Sequence, residues 1–206
     1  MINRSSIRPS NFFRALHRLG GDRRGVAAIE FAFIVPVLLS LYFVTMEVSQ
    51  GIETNKKIGR VASTVADLVT QLPREIKSSQ IDAIMKIGEA IVQPYNRSTP
   101  RIHVTAIRIL DDASPVAKVE WSRKLVDGAA SSDIEEGAET TVPDTLDTGG
   151  TFLIKVDTYL DYHPVIAWNP DQKAALGLFG AFDEIPMRET YYLRPRMTQE
   201  ILCDDC

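Results

Sequence analysis

The sequence predicts an α+β fold in which one long N-terminal helix packs on an antiparallel β-sheet. Apolar residues recur every three to four positions as far as Pro73 and again before Pro94, and after Pro100 the period becomes two. Helices therefore precede strands, an order that favours α+β over a parallel sheet with alternating helices. With 206 residues, 45% of them apolar, the chain has room for one membrane segment and one modest folded domain.

The first element is a basic leader, residues 1–25, which carries six arginines and one acid, Asp22. The positive-inside rule places this leader in the cytoplasm and the chain after the membrane segment outside it. From Val26 onward the chain contains 17 basic and 26 acidic residues, because the leader contains six of the 23 basic and one of the 27 acidic residues. Binding to nucleic acid requires clustered Lys and Arg, so this balance argues against a nucleic-acid partner.

A membrane helix is predicted over residues 26–48, since the 21 residues from Val26 to Met46 reach about 31 Å as a helix, the thickness of a bilayer core. Glu30 is the sole charge in that run. An ionised carboxylate at the centre of a membrane helix costs roughly 2.5–3.5 kcal/mol, which predicts a specific use for it. The alternative is that Glu30 lies at headgroup depth beside the leader arginines without a specific partner. Pro36 is expected to loosen or kink the helix.

The helix is expected to continue as an amphipathic stalk over residues 49–76, ahead of an extracytoplasmic α+β domain over residues 77–206. Its apolar stripe consists of Ile58, Val61, Ala62, Val65, Leu68, Val69 and Leu72. A shorter second helix is predicted to start at a capping box from Ser79 to Asp82 and to end before Pro94. Its buried stripe consists of Ile81, Ile84, Met85, Gly88, Ile91 and Val92.

Alternating patterns predict four strands, which form an antiparallel sheet covered on one side by the stalk and the second helix. The first two are joined by the hairpin-length turn "DDASP". The strands are expected at residues 101–110, 116–125, 151–162 and 187–196.

Between the second and third strands, residues 127–150 contain many acids and no base. We expect a solvated, mobile loop, and a calcium site is the alternative, although the acids lack the regular ligand spacing of a Ca²⁺ loop. A short helix is predicted from Asp171 to Leu178.

No motif for enzymatic chemistry is evident, so the sequence predicts a protein that is not an enzyme, with no cofactor and no metal. His17, His103 and His163 are scattered without metal-ligand spacing, and no nucleophile elbow, phosphate loop or HExxH motif occurs. Four aromatic residues are expected in the core or at interfaces: Trp121, Trp168, Tyr191 and Tyr192.

The motif "CDDC" places Cys203 and Cys206 in the part predicted to lie outside the cytoplasm, where disulfides persist. We expect both cysteines to be oxidised, either to each other or to a partner chain. The alternative is a membrane-anchored thiol oxidoreductase. In those enzymes a helix N-terminus lowers the thiol pKa, whereas two neighbouring aspartates raise it.

The segment "GVAAIEFAFIVPVLL", with Gly25, Glu30, Phe31 and Pro36, resembles the prepilin-like segment of TadE-like proteins, pseudopilins of the tight-adherence, Flp-type pilus system. The resemblance covers roughly residues 24 to 67. It implies that a prepilin peptidase cuts after Gly25, that Val26 becomes the mature amino terminus, and that Glu30 is read during processing or assembly. The helix and sheet would then form a pilin-like ladle.

The resemblance also gives Glu30 a partner, because cleavage creates a positive amine on Val26 about 6 Å along the helix. In a bundle, Glu30 would pair with the amine of a neighbouring subunit and offset its burial cost. The expected protein is a single-pass minor pilin of the inner membrane, with the pilus as the alternative location. Its expected partners are the membrane, prepilin peptidase, other pilin-like subunits and pilus assembly proteins. The alternative is an uncleaved bitopic scaffold of the pilus secretion machinery.

Overall fold

A computed structural model describes residues 25–111, 116–165 and 184–206. Three predicted features lie outside these residues: the leader arginines with His17, most of the "DDASP" turn, and the helix from Asp171 to Leu178 together with Trp168. The chain divides between Met46 and Glu47 into two compact units. The predicted α+β class is confirmed, because a long apolar N-terminal helix accompanies an antiparallel sheet.

Helix α1 comprises Val26–Thr70 and includes Pro36 in its interior. Proline has no N–H to donate to the preceding turn, so one carbonyl of the first unit loses its helical partner. The Ser40 hydroxyl donates a hydrogen bond of 2.8 Å to the Pro36 carbonyl, and the Thr45 hydroxyl does the same to Leu41 one turn later. The hydroxyls of Ser40 and Thr45 are thus satisfied within the helix itself.

From Glu47 onward α1 belongs to the unit that contains the sheet. One face of this part is buried at three- and four-residue intervals, as the amphipathic pattern predicts. Leu68 and Leu72 pack at the margin of the same core. The buried apolar side chains of this face are Ile58, Val61, Ala62, Val65, Ala66 and Val69.

Helix α2 comprises Ser78–Ile91 and follows a two-residue strand, β1 (Glu75–Ile76). The predicted capping box from Ser79 to Asp82 is wrong, because the N-cap is Lys77, two residues earlier, and the Gln80 side chain accepts a bond of 3.0 Å from the Lys77 N–H. Asp82 instead accepts hydrogen bonds from Arg123, from Nη2 at 2.7 and 2.9 Å and from Nε at 3.1 Å. The proposed cap residue therefore ties the helix to the sheet.

The two helices approach closely at Gly88. A Cβ atom added to Gly88 would lie 2.5 Å from Cγ2 of Val65 and 3.2 Å from Cδ1 of Ile102. No side chain fits there unless α1 or the sheet moves, so the glycine in the predicted stripe sets the distance between α1, α2 and the sheet.

The main sheet is antiparallel, with the strand order β4-β3-β2-β6-β7 and with β5 also paired to β3. The predicted pairing of the first two strands is confirmed, with Ile102 opposite Leu125 and Ile109 opposite Ala117. The strands are β2 (Arg101–Ile109), β3 (Ala117–Val126), β4 (Ala129–Ser132), β5 (Glu139–Thr140), β6 (Phe152–Tyr162) and β7 (Ile185–Leu193). A separate parallel pair joins β1 to β8 (Leu202–Cys203).

The expectation that residues 127–150 form a loop without strands is wrong. Asp127 and Gly128 have φ angles of 51° and 73°, the conformation of a two-residue hairpin turn, and they return the chain along β3 as β4. The Gly137 N–H then donates to the Val119 carbonyl at 2.7 Å, and β5 follows. The dipeptide "DG" is a hairpin signal that outweighs the high charge of this segment.

The sheet buries different groups on its two faces. The face towards α1 and α2 carries the larger core, which includes Val104, Trp121 and Ile154. On the other face Asp157 is nearly buried among the Thr190 hydroxyl at 2.5 Å, Lys155 and Arg188. Burial alone would raise the pKa of Asp157, but its hydrogen bonds and cations lower the pKa below its usual value, so the carboxylate is held ionised.

Candidate functional site

The candidate processing segment lies at the start of α1. Gly25 immediately precedes the helix, and no atom of the described residues lies within 4 Å of a Cβ atom built on it. Val26 and Glu30 are four residues apart and therefore share one face of the helix, while Phe31 is 66% exposed on the next position. The helix thus brings the predicted amino terminus and the predicted carboxylate onto one side, about one turn apart.

The first unit exposes apolar side chains on all sides of its helix. None of the most apolar 18-residue window of α1 is buried, and the mean hydropathy of that window is 2.2. By length and composition this helix is able to cross a membrane, and a single apolar helix at this place indicates membrane anchoring. A helix that is apolar all round is stable in lipid or among other apolar helices.

Sequence reasoning missed a second feature, a polar contact at the first residue of the domain. The Tyr162 hydroxyl donates a 2.6 Å hydrogen bond to one oxygen of Glu47, and the Val165 N–H donates a 2.9 Å bond to the other. Tyr162 is 1% exposed and stacks on Tyr95. Burial and the Glu47 carboxylate together raise the pKa of Tyr162 to about 12. Glu47 and Tyr162 are 115 residues apart, so no local pattern indicates the contact.

The "CDDC" motif lies beside the N-terminus of α2. Cys203 and Cys206 form a disulfide and pack at the margin of the main core. Between them Asp205 accepts hydrogen bonds from the Ser78 N–H at 2.7 Å and from the Ser78 hydroxyl at 3.0 Å. These bonds lower the pKa of Asp205. Asp205 therefore caps the Ser78 N–H from a distant part of the chain, in addition to the local bond from the Lys77 N–H to Gln80.

Two consequences follow for the chemistry of this motif. A carboxylate, not a thiol, occupies the N-terminus of α2, the place where thiol oxidoreductases activate a cysteine. Among the described residues, Cys203, Asp205 and Cys206 are also the only group of three whose potential metal-ligand atoms lie within 4.8 Å of one another, and the disulfide removes both thiolates from that group. The arrangement fits a structural disulfide better than a redox centre.

The segment around Cys203 is joined to several parts of the domain. The Trp121 indole N–H donates a 2.7 Å bond to the Ile201 carbonyl, which confirms Trp121 as a core aromatic at 3% exposure. Glu200 forms ion pairs with Arg74 and Arg108, and these two cations lower the pKa of its carboxyl. The Arg196 N–H bonds the Thr70 carbonyl at 2.9 Å and so satisfies the end of α1.

The described histidines have no shared site. Nδ1 of His103 lies 2.7 Å from Asp133 on the exposed face of the sheet, where Lys124 also contacts the aspartate. The His163 carbonyl accepts a bond from Arg97, and its N–H donates to Tyr95. His103 lies in β2 and His163 follows the end of β6, and the two residues contact different partners.

A comparison with protein families finds a match between residues 25–67 and the family described as TadE-like protein. Searches of curated proteins and of solved structures found no match. The matched segment covers the apolar helix and most of the packed part of α1, and this similarity suggests a function related to Tad pili. Residues 25–67 are thus similar to TadE-like proteins, as the N-terminal motif predicted.

Proposed function

We propose that this protein is a pseudopilin of the tight-adherence, Flp-type pilus system and acts in pilus assembly as a structural subunit, not as an enzyme. The TadE-like match at residues 25–67 carries the proposal. The all-round exposure of the apolar helix supports it, because such a helix needs lipid or neighbouring helices. In the proposal, the helix spans the inner membrane with its N-terminus in the cytoplasm and the domain outside.

Processing is the first step of the proposed pathway. A prepilin peptidase cuts after Gly25, so that Val26 carries the new amine. The position of Gly25 just before the first residue of the apolar helix supports this step, because the cut would leave the helix as the mature amino terminus. N-terminal sequencing of the membrane-extracted protein tests the step: a mature chain beginning at Val26 is expected, and Gly25→Ala should block or slow the cut.

Assembly is the second step, in which the Glu30 carboxylate pairs with the Val26 amine of a neighbouring pilin-like subunit. Pairing offsets the cost of holding a charge in lipid. Glu30→Ala should therefore enter the membrane at normal levels, since the helix becomes more apolar, but should fail to support surface pili. Glu30→Gln keeps a hydrogen-bond acceptor without the charge and should retain part of the assembly.

Ser40→Ala is the matched control for these variants. It removes another polar side chain from the apolar helix, one that is already satisfied by the Pro36 carbonyl. Surface pili and membrane abundance are measured together for each variant. Normal piliation with Glu30→Ala would reject the pairing, whereas a mature protein that retains residues 1–25 would favour the uncleaved scaffold. A measured disulfide-exchange activity would favour the oxidoreductase.

A further inference from the structure

A groove with a largely apolar lining lies between the first turns of the packed part of α1 and the start of β7. Its volume is about 490 Å³. We name it the α1/β7 groove. Its apolar lining includes Val48 and Ile52 of α1, Tyr162 of β6, and Ile185 and Met187 of β7. These residues all belong to the unit that begins at Glu47.

The α1/β7 groove combines nearly buried and exposed apolar side chains. Tyr162 and Met187 are nearly buried, so they form its deeper part. Val48, Ile52 and Ile185 stand around them and are between 40% and 57% exposed. Exposed apolar side chains that adjoin one another mark a surface that another molecule covers.

Gly51 keeps the deeper part of the groove open. A Cβ atom built on Gly51 would lie 3.8 Å from Cε1 of Tyr162, which is an ordinary contact distance. A side chain therefore fits at this position, and one longer than alanine would occupy the space beside the tyrosine ring. Glycine also weakens a helix relative to alanine, so helix stability does not account for its presence here.

Lys56 places a positive charge at one end of the groove. Helical side chains point back towards the N-terminus of their helix, so the Lys56 side chain extends along the groove from its far end. Among the described residues Lys56 is exposed and makes no ion pair, whereas Lys57 pairs with Glu53 at 3.3 Å. At the other end, both oxygens of Glu47 accept hydrogen bonds from the domain. An unpaired cation thus adjoins the apolar lining.

The place of the groove in the chain indicates where its occupant comes from. The apolar run of α1 ends at Met46, and Ile52 follows it by six residues, about 9 Å of helix. The headgroup layer of a bilayer is about 5–8 Å thick on each side of the hydrocarbon core. Lys56 follows Met46 by ten residues, and its side chain reaches back towards that layer. The groove and its cation therefore lie at the depth of lipid headgroups when the apolar run spans a bilayer.

We propose that the α1/β7 groove binds one phospholipid of the membrane in which α1 is anchored. The upper part of an acyl chain lies against Ile52, Met187 and the Tyr162 ring, and the lipid phosphate pairs with Lys56. An apolar surface that ends at one cation matches the two chemistries of a phospholipid. This inference rests on the membrane insertion of α1 that the proposed function includes, and it does not depend on proteolytic processing.

An apolar segment of a protein is the competing occupant. Such a segment would cover the apolar lining but would leave Lys56 without an anion. A phospholipid supplies an acyl chain and a phosphate together, and the membrane holds it at high concentration beside the groove. The experiment must therefore show whether lipid enters the deeper part of the groove.

The experiment uses the full-length protein in vesicles of phosphatidylethanolamine and phosphatidylglycerol. The vesicles contain a trace of phosphatidylcholine with a photoreactive diazirine on one acyl chain. After irradiation, fragmentation mass spectrometry locates the labelled residues. Wild type should be labelled within residues 26–46, which reports insertion, and also at Tyr162 and Met187. Because these two residues are nearly buried, an acyl chain reaches them only by entering the groove.

Gly51→Leu fills the groove without removing a side chain. It should lower the labelling of Tyr162 and Met187 by about tenfold or more, because the leucine takes the place of part of the acyl chain. Gly59→Leu is the matched control. It makes the same change in the same helix, where a Cβ atom would also lie 3.8 Å from its nearest side chain, Glu189. It should keep the wild-type labelling of both residues.

Lys56→Gln tests the pairing with phosphate. It should lower the labelling of Tyr162 and Met187 by about fivefold, because one attraction between a lysine and the lipid phosphate is lost. Lys86→Gln, at an exposed position of α2, is its control and should not change the labelling. Equal labelling in the two variants would exclude the pairing. Labelling within residues 26–46 should be the same in every variant, since none of the substitutions lies there.

The labelling pattern separates failure of this proposal from failure of the proposed function. If residues 26–46 are labelled but Tyr162 and Met187 are not, α1 is inserted and the groove does not bind lipid. Equal labelling of these two residues in Gly51→Leu and Gly59→Leu would also overturn the proposal. Either result favours a protein segment as the occupant. If residues 26–46 are not labelled, the insertion of α1 is rejected, and this inference is rejected with it.

Discussion

The two parts of helix α1 have the same secondary structure and different surroundings. From Val26 to Met46 apolar side chains lie on every side of the helix and are exposed, with Ile34 at 52%. After Glu47 one face is buried to 0% exposure, as at Ile58, and the other face is polar. One part of the helix packs on its own sheet, whereas the other requires lipid or other subunits to cover it. A single helix can therefore connect a self-sufficient domain to a segment that is stable only with external partners.

The largest expected effect is a loss of domain stability on substitution of Ile58, compared with Ile34 in the other part of the same helix. Ile58→Ala should lower the free energy of unfolding of the domain by about 2–5 kcal/mol, because it leaves a cavity in a packed core. Ile34→Ala, its matched control, should change that free energy by less than about 0.5 kcal/mol. Denaturant titration in detergent, followed by near-UV circular dichroism, measures both. Equal losses would show that the two parts of α1 do not differ in packing.

The Glu47–Tyr162 contact marks where the packed part begins, and Tyr162→Phe tests it. Loss of the hydroxyl leaves a carboxylate oxygen without its 2.6 Å donor and should cost about 1.5–3 kcal/mol of domain stability. Tyr159→Phe, in the same strand, is the control, since no hydrogen bond from the Tyr159 hydroxyl occurs within the described residues. A loss of similar size in both variants would contradict a specific contribution from the contact.

The same contact predicts a pH dependence. The folded pKa of Tyr162 is raised to about 12, above its ordinary value of about 10, so its contribution to stability is complete below pH 10. That contribution is lost as the pH rises towards 12, because the unfolded chain releases the proton first. Between pH 10 and 12 the Tm of wild type should therefore fall more steeply than the Tm of Tyr162→Phe. Thermal unfolding of both proteins from pH 8 to 12 measures the difference.

The smallest effect is expected at Asp205, where the domain satisfies its own helix end from a distant segment. Asp205→Ala should lower Tm at neutral pH by less than Tyr162→Phe does, and Asp204→Ala, a neighbouring exposed aspartate, should not lower it. The folded pKa of Asp205 is depressed, so its contribution is present above about pH 4 and is lost as the pH falls through the folded pKa. A difference that persists at low pH would exclude the carboxylate as its source.

Local patterns were sufficient for the elements and insufficient for the contacts between them. The period-two strands and the amphipathic stripe of α1 were predictable, because burial against one surface imposes a repeat on the sequence. The cap of α2 was not, since Asp205 follows Ser78 by 127 residues. The hairpin at Asp127 had a local signal, but the charge of the following residues was given more weight than the turn dipeptide.

The candidate site divides in the same way. Gly25, Glu30 and Phe31 were found from a contiguous motif, and the family match covers the same residues. The contact of Glu47 with Tyr162 was not found, because it joins residues 115 apart. The acids of residues 127–150 were visible in the sequence, but only the pairing of β4 and β5 with β3 shows that part of this segment lies at an edge of the sheet.

The bond between Ser78 and Asp205 can form only late in the synthesis of the chain. A ribosome adds about 5–20 residues per second, so residue 205 follows Ser78 by about 6–25 s. By then the apolar helix has long since emerged and is available to the membrane, while the first turn of α2 still lacks its cap. The apolar helix is thus able to reach the membrane before the domain is complete. During that interval the Ser78 N–H at the start of α2 lacks its acceptor, Asp205.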